Sequence, residues 1–231
     1  MTENTLAAFA DAIDAGIGII ELDIQITADN KIVVYHDFNP PGFQKRISEI
    51  NYHEIKTLVV GEKSDSGYDS MHIPLLDDVL KIVAGKCYLM IEIKVNTGNK
   101  FLENINKLLD LIIKYNYLEN TIFGSFSLDA ISNLKQINPD VYTAAIKIPN
   151  DRRLPSELRD IVGCEAFICD VEELNQEVCD DAKKHNIFLG VYNVDDEEAL
   201  NKALKYEARA VATNHPEKIV QLVKDKKIYQ F

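Results

Sequence analysis

Apolar positions along the chain alternate between two periods. Stretches such as 19–24 (Ile19-Ile20-Glu21-Leu22-Asp23-Ile24), 89–94 and 166–170 are apolar at every second position or in short unbroken runs, which predicts strands. Strands are expected near 19, 88, 121, 141, 166, 188 and 208, with 32–36 folding back on the first across a tight turn at 28–31. Between them, stripes at three- and four-residue spacing predict helices over 4–15, 75–84, 99–115, 128–137, 155–162, 172–185, 195–205 and 216–225. Strand and helix alternating with short breaks is the signature of βα units and a parallel sheet. Residues 38–72 interrupt the rhythm: Asn39-Pro40-Pro41-Gly42 opens a turn-rich excursion with one helix near 52–60 and a polar loop at Ser64-Asp65-Ser66-Gly67, which predicts an insertion. The seven main strands fall one short of a closed (β/α)8 barrel, and the sequence opens on the helix that would follow the missing one.

Two strands carry acids where apolar residues are expected. Side chains alternate along a strand, so Glu21 and Asp23 share one face while Ile20, Leu22 and Ile24 take the other. Two like charges in a poorly solvated place are costly unless something positive lies between them; a divalent cation would answer that, and so would a salt bridge at the strand end. Glu92 and Lys94, also two apart, share a face of their strand, and the strand at 32–36 ends in the pair His36-Asp37. In a (β/α)8 barrel the active site lies at the C-terminal strand ends, where Asp23, His36 and Lys94 all fall. His53, His72, His185 and His215 have no ligand-like spacing and are expected on the surface or in loops.

Length and charge narrow the setting. The 231 residues, 46% of them hydrophobic, suffice for one large core, so a single domain spanning 1–231 is expected. A net charge of −12 and a pI near 4.9 argue against nucleic acid or an anionic bilayer as partner, and an anionic substrate would need a local positive site. Cys87, Cys164, Cys169 and Cys179 form no Cys-x-x-Cys pair and are expected as small buried side chains in a reducing compartment. No apolar run reaches the roughly 18 residues of a membrane span, and the start lacks the pattern of a signal peptide, so a soluble, cytoplasmic protein is expected. Monomer and homodimer both stay open.

Taken in order, Glu3-Asn4-Thr5, Glu21-Leu22-Asp23, Thr27-x-Asp29, His36-Asp37, Ile73-Pro74-Leu75, Ile91-Glu92-Ile93-Lys94, Ser125-Phe126 and Thr213-Asn214-His215-Pro216 resemble the landmarks of the glycerophosphodiester phosphodiesterase family. The resemblance implies a TIM-type (β/α)8 barrel with a small insertion after the His-Asp strand. It implies hydrolysis of glycerophosphodiesters to glycerol 3-phosphate and an alcohol. It also implies that Glu21, Asp23 and Glu92 hold one Mg2+ or Ca2+, that His36 is a general acid or base, and that Lys94 binds phosphate, with Lys94 as a plain ion-pair partner of Glu92 not exclusive of that. Phe126 and Tyr192 resemble side chains that line the substrate mouth, Tyr192 standing where the family commonly has tryptophan; ordinary core packing accounts for both equally simply.

One departure bears on activity. Family members carry a His-Arg-Gly stretch upstream of Glu-Asn-Thr, supplying a second acid-base histidine and an arginine for phosphate, and this sequence begins at Met1-Thr2. Loss of one acid-base group costs on the order of 100- to 10,000-fold in rate, so impaired hydrolysis is expected. A start codon assigned too far downstream, a truncated homologue and a strand supplied by another segment or chain each account for this. The reading from a different class is a catalytically inactive barrel that binds a phosphate ester or a protein partner. A sugar-phosphate isomerase or aldolase is disfavoured by the His36-Asp37 strand end and the insertion that follows it.

Overall fold

The structure, a computed structural model, describes residues 2–61, 71–95 and 100–226. The expected loop at Ser64-Asp65-Ser66-Gly67 lies outside the described residues. The chain divides into two compact units, Met1–Ser125 with Gln136–Tyr142, and Phe126–Lys135 with Thr143–Phe231.

The first unit holds α1 (Leu6–Asp14), β1 (Ile19–Ile26), β2 (Ile32–Val34), the short α2 (Tyr52–Ile55), α3 (Leu76–Val83), β3 (Tyr88–Ile93), α4 (Lys100–Lys114) and β4 (Thr121–Ser125). Thr5 starts α1 by accepting a hydrogen bond from the Ala8 amide at 3.2 Å, and Gly16 follows its end at φ +76°. The strands lie in the order β2-β1-β3-β4, with β1, β3 and β4 parallel and β2 antiparallel to β1, as the tight turn predicts. Leu22 stands opposite Ile91, and Ile91 opposite Phe123, all fully buried.

The excursion after β2 has a small core of its own, in which Ile47, Ile50, Ile55, Val60 and Ile73 pack on Val33 of β2. The helix expected over 52–60 stops at Ile55. Val60 instead donates its amide to Met71 at 2.6 Å, and Val59 bridges to His72, so this stretch runs extended to meet the returning chain.

The second unit alternates β5 (Tyr142–Ile146), α6 (Pro155–Val162), β6 (Ala166–Asp170), α7 (Gln176–Lys184), β7 (Phe188–Tyr192), α8 (Glu197–Lys205), β8 (Ala210–Val211) and α9 (Pro216–Asp225), preceded by most of α5 (Leu128–Ile137). Its strands lie in the order β5-β6-β7-β8 and are all parallel. Phe167, fully buried, belongs to a core shared with Leu158, Val162, Leu189 and Leu200. The helix expected over 172–185 is broken: Val171–Glu173 is a 3-10 turn, and α7 begins only after Asn175, whose side chain accepts from the Val178 amide at 3.1 Å. An asparagine that caps a helix start competes with helix through it, which stripe spacing does not register.

All four cysteines are free and buried. Among the described residues no helix is long and apolar enough to cross a membrane.

Asp77, in the first turn of α3, joins that helix to α4. It lies 2.8 Å from the Lys114 ammonium and 3.0 Å from that of Lys81, and Tyr115 donates its hydroxyl at 3.1 Å. The bonds from Lys114 and Lys81 hold its carboxyl at about 2, below the usual 3.8. A carboxyl so depressed adds stability above pH 3.8 that is lost as pH falls through about 2. The lysine side chains are 54% and 62% exposed, so screening keeps the effect small. Asp77→Asn should therefore lower the urea midpoint slightly at pH 7, and the gap to wild type should narrow as pH falls from 3.8 toward 2; a gap constant over that window would contradict the assignment.

Candidate functional site

In the parallel pair of β1 and β3, Asp23 stands directly opposite Glu92. Side chains at one level of neighbouring strands project to the same face, and Glu21, two residues before Asp23, joins them. Each of the three offers a carboxylate oxygen, and these atoms all lie within 4.8 Å of one another. Among the described residues this is the one group of three His, Cys, Asp or Glu side chains able to hold a metal ion. Asp23 and Glu92 are 4% and 8% exposed, whereas Glu21 keeps open surface.

Lys94 leaves the end of β3 with its amide bonded to the Ile24 carbonyl at 3.1 Å. This places its Nζ 3.0 Å from Asp23 Oδ1 and 2.7 Å from Glu92 Oε1. Burial opposes the charge on Lys94, but Asp23 and Glu92 outweigh it and hold the ammonium above the usual lysine range. Burial and repulsion from Asp23 push the Glu92 carboxyl up. Desolvation, then Asp23 and Glu92, push Glu21 up further; since Glu21 is open to solvent, the repulsion from its two neighbours is the firmer of these causes.

The donor set fits a hard divalent cation. Three carboxylates face one ammonium, so the cluster when fully ionised keeps two uncompensated negative charges. Lys94 lies 2.7 Å from Glu92 Oε1 and 3.0 Å from Asp23 Oδ1, so its one positive charge is divided between two of the three acids. Oxygen donors without sulfur or imidazole suit Mg2+ or Ca2+.

Sequence reasoning passed over two residues here. Asn4, just ahead of α1 and at φ +57°, donates its side-chain amide to Asp23 Oδ2 at 2.8 Å and accepts the Asp23 backbone amide at 3.0 Å. It thereby fixes which Asp23 oxygen faces Lys94. Its place in Glu3-Asn4-Thr5 was visible, but a contact across 19 residues of sequence was not. Gln25 continues the alternation of Glu21 and Asp23 on the same face of β1, 1% exposed. That periodicity was the signal available for it.

β2 was expected to run to His36 and stops at Val34. Successive carbonyls along a strand point opposite ways, but those of Tyr35, His36 and Asp37 all turn toward the Gln25 amide, at 2.9, 3.3 and 2.7 Å. His36 therefore stands on a bend two residues beyond the strand. Its ring Nδ1 lies 2.8 Å from Asp37 Oδ1, its side chain is 53% exposed, and a positive charge on it would lower the Glu92 carboxyl. Glu21, Asp23, Glu92, Lys94 and His36 thus all belong to the first unit. Phe126 and Tyr192 belong to the second, half-buried at the C-terminal ends of β4 and β7, Tyr192 opposite Asp170 of β6.

Residues 1–218 match the model of the glycerophosphoryl diester phosphodiesterase family. A glycerophosphodiester phosphodiesterase of Caldanaerobacter subterraneus is 29% identical over 234 residues, covering 96% of this chain and 92% of the relative. A crystal structure assigned to the same activity, from Silicibacter pomeroyi, superposes with a TM-score of 0.90 at 21% identity, covering all of this chain and 91% of its own. An Oleispira antarctica phosphodiesterase, solved in complex with the product sn-glycerol-3-phosphate, gives 0.86 at 21% identity, covering 97% of this chain and 92% of its own. At such identities the likeness to solved structures shows the fold, which is of the TIM (β/α)8 type. With the family model matched over nearly the whole sequence, the chain belongs to the glycerophosphoryl diester phosphodiesterase family.

Proposed function

We propose that this chain hydrolyses glycerophosphodiesters to glycerol 3-phosphate and an alcohol, using one divalent cation, Mg2+ or Ca2+, held by Glu21, Asp23 and Glu92. One observation carries the reading: two buried acids paired across adjacent strands, with a third beside them and a single ammonium to offset all three. Family membership and the product-bound Oleispira antarctica relative support the substrate class.

When bound, the cation supplies positive charge beside a phosphoryl oxygen and lowers the cost of charge developing there. Lys94, kept protonated by Asp23 and Glu92, offers its ammonium to the same phosphate. In hydrolysis an oxygen of the attacking group bonds to phosphorus, the ester P–O bond breaks, and the departing oxygen takes up a proton. His36 supplies that proton or takes the one that the attacking water gives up, solvent exchanging the other, with its ring oriented by Asp37 through Nδ1.

Chelation should abolish release of glycerol 3-phosphate from glycerophosphocholine and its ethanolamine analogue, and added Mg2+ or Ca2+ should restore it. Glu92→Ala should lower kcat/KM on the order of 1,000-fold with the far-UV circular dichroism unchanged. Turnover that survives both treatments would refute the metal assignment, and calorimetric binding of the diester without turnover at any cation concentration would instead mark a binding protein.

His36→Ala should reduce kcat by on the order of 100- to 10,000-fold while the cation affinity, read by calorimetry, stays that of wild type. A full-speed variant would remove His36 from the proton-transfer role.

A further inference from the structure

Gln25 is enclosed in β1 among residues that are buried on both faces, yet its side chain is only half satisfied. Its amide nitrogen reaches the carbonyls of Tyr35, His36 and Asp37 at 2.9, 3.3 and 2.7 Å, whereas its Oε1 is buried with no hydrogen-bond partner. An amide carries two hydrogens, so three acceptors must share them, and the long contact to His36 is the shared one. Turning the amide over would set its oxygen against three carbonyl oxygens, so the chemistry fixes the orientation. A methionine fills the same volume and strands no side-chain oxygen, but it would leave the three carbonyls without this donor.

What the amide does provide is a fixed bend. The three carbonyls belong to the residue before His36, to His36 itself and to Asp37, whose carboxylate orients the imidazole at 2.8 Å. The Tyr35 amide also donates to the Asp23 carbonyl at 3.0 Å, so the segment is tied twice to the strand that bears Glu21 and Asp23. His36 is 53% exposed and, among the described residues, its side chain bonds only to its neighbour Asp37, so its position depends on its backbone.

Building on the proposed phosphodiesterase activity, we infer that Gln25 is a positioning residue: its buried amide gathers the 35–37 carbonyls and so sets the His36 imidazole at the working distance from the acidic cluster. It touches neither substrate nor cation and acts only through His36.

The test is a double-mutant cycle of Gln25→Met and His36→Ala, assayed with Mg2+ and glycerophosphocholine. With His36 present, Gln25→Met should lower kcat by about 10- to 100-fold, the scale of a small misplacement of a reacting group, with KM and cation affinity little changed. With His36 replaced, the same change should alter kcat by less than about twofold, because the group it positions is gone. Gln25→Asn keeps an amide but is one methylene too short to reach all three carbonyls; it should fall between wild type and Gln25→Met, and it carries the cycle should the methionine variant not fold. Equal losses in both backgrounds, or wild-type kcat for the variants, would overturn the inference while leaving the phosphodiesterase activity standing. Absence of turnover in the wild-type chain would overturn that activity and this inference together.

Discussion

Like-charge repulsion at one level of the sheet is the constraint that the rest of the site answers. The parallel register sets Asp23 against Glu92, and strand alternation adds Glu21 on the same side. Acids this close and this buried destabilise a fold unless their charge is met or shared. Lys94 meets part of it and Asn4 fixes Asp23 by two hydrogen bonds. The remaining charge explains both the raised Glu21 and Glu92 carboxyls and the suitability of the cluster for a dication. The energy stored in that repulsion is what would make cation binding favourable, so a cost in folding becomes a contribution to affinity.

How far the fold was legible depended on punctuation. The bounds of α6 and α9 follow directly from Pro155 and Pro216 at their first turns, and Gly163 at φ +73° marks where α6 ends. Failures came where polar side chains compete with the backbone. Asn175 broke an apparent helix, and Asn193 at φ +63° follows directly on the end of β7 at Tyr192. Periodicity reports which face is apolar and says nothing about which amide a side chain will cap.

The site divided along the same line. Glu21, Asp23, Glu92 and Lys94 were readable because alternation within a single strand sets them in pairs, and register between adjacent parallel strands does the rest. Asn4 and Gln25 were not, since each acts by hydrogen bonds to segments fixed only by tertiary folding: Asn4 to Asp23, Gln25 to the bend at 35–37. Gln25 occupies the next inward position after Asp23, so the polar row on β1 was three residues long rather than two. A glutamine where a strand would take isoleucine carried information that its lack of charge concealed.

Burial separates the two kinds of work the cluster is suited for. The groups that face the charge problem, Asp23, Glu92 and Lys94, are nearly enclosed, so their mutual interactions are strong and their rotamers are held by one another. His36 is half exposed, and under the proposed function that openness lets it meet a substrate and exchange a proton with it. An exposed side chain cannot be locked by packing, so its geometry has to be imposed through its main chain. The strand that carries two of the acids also donates the amide that holds that main chain, so β1 ties the acidic cluster and the His36 bend to one element.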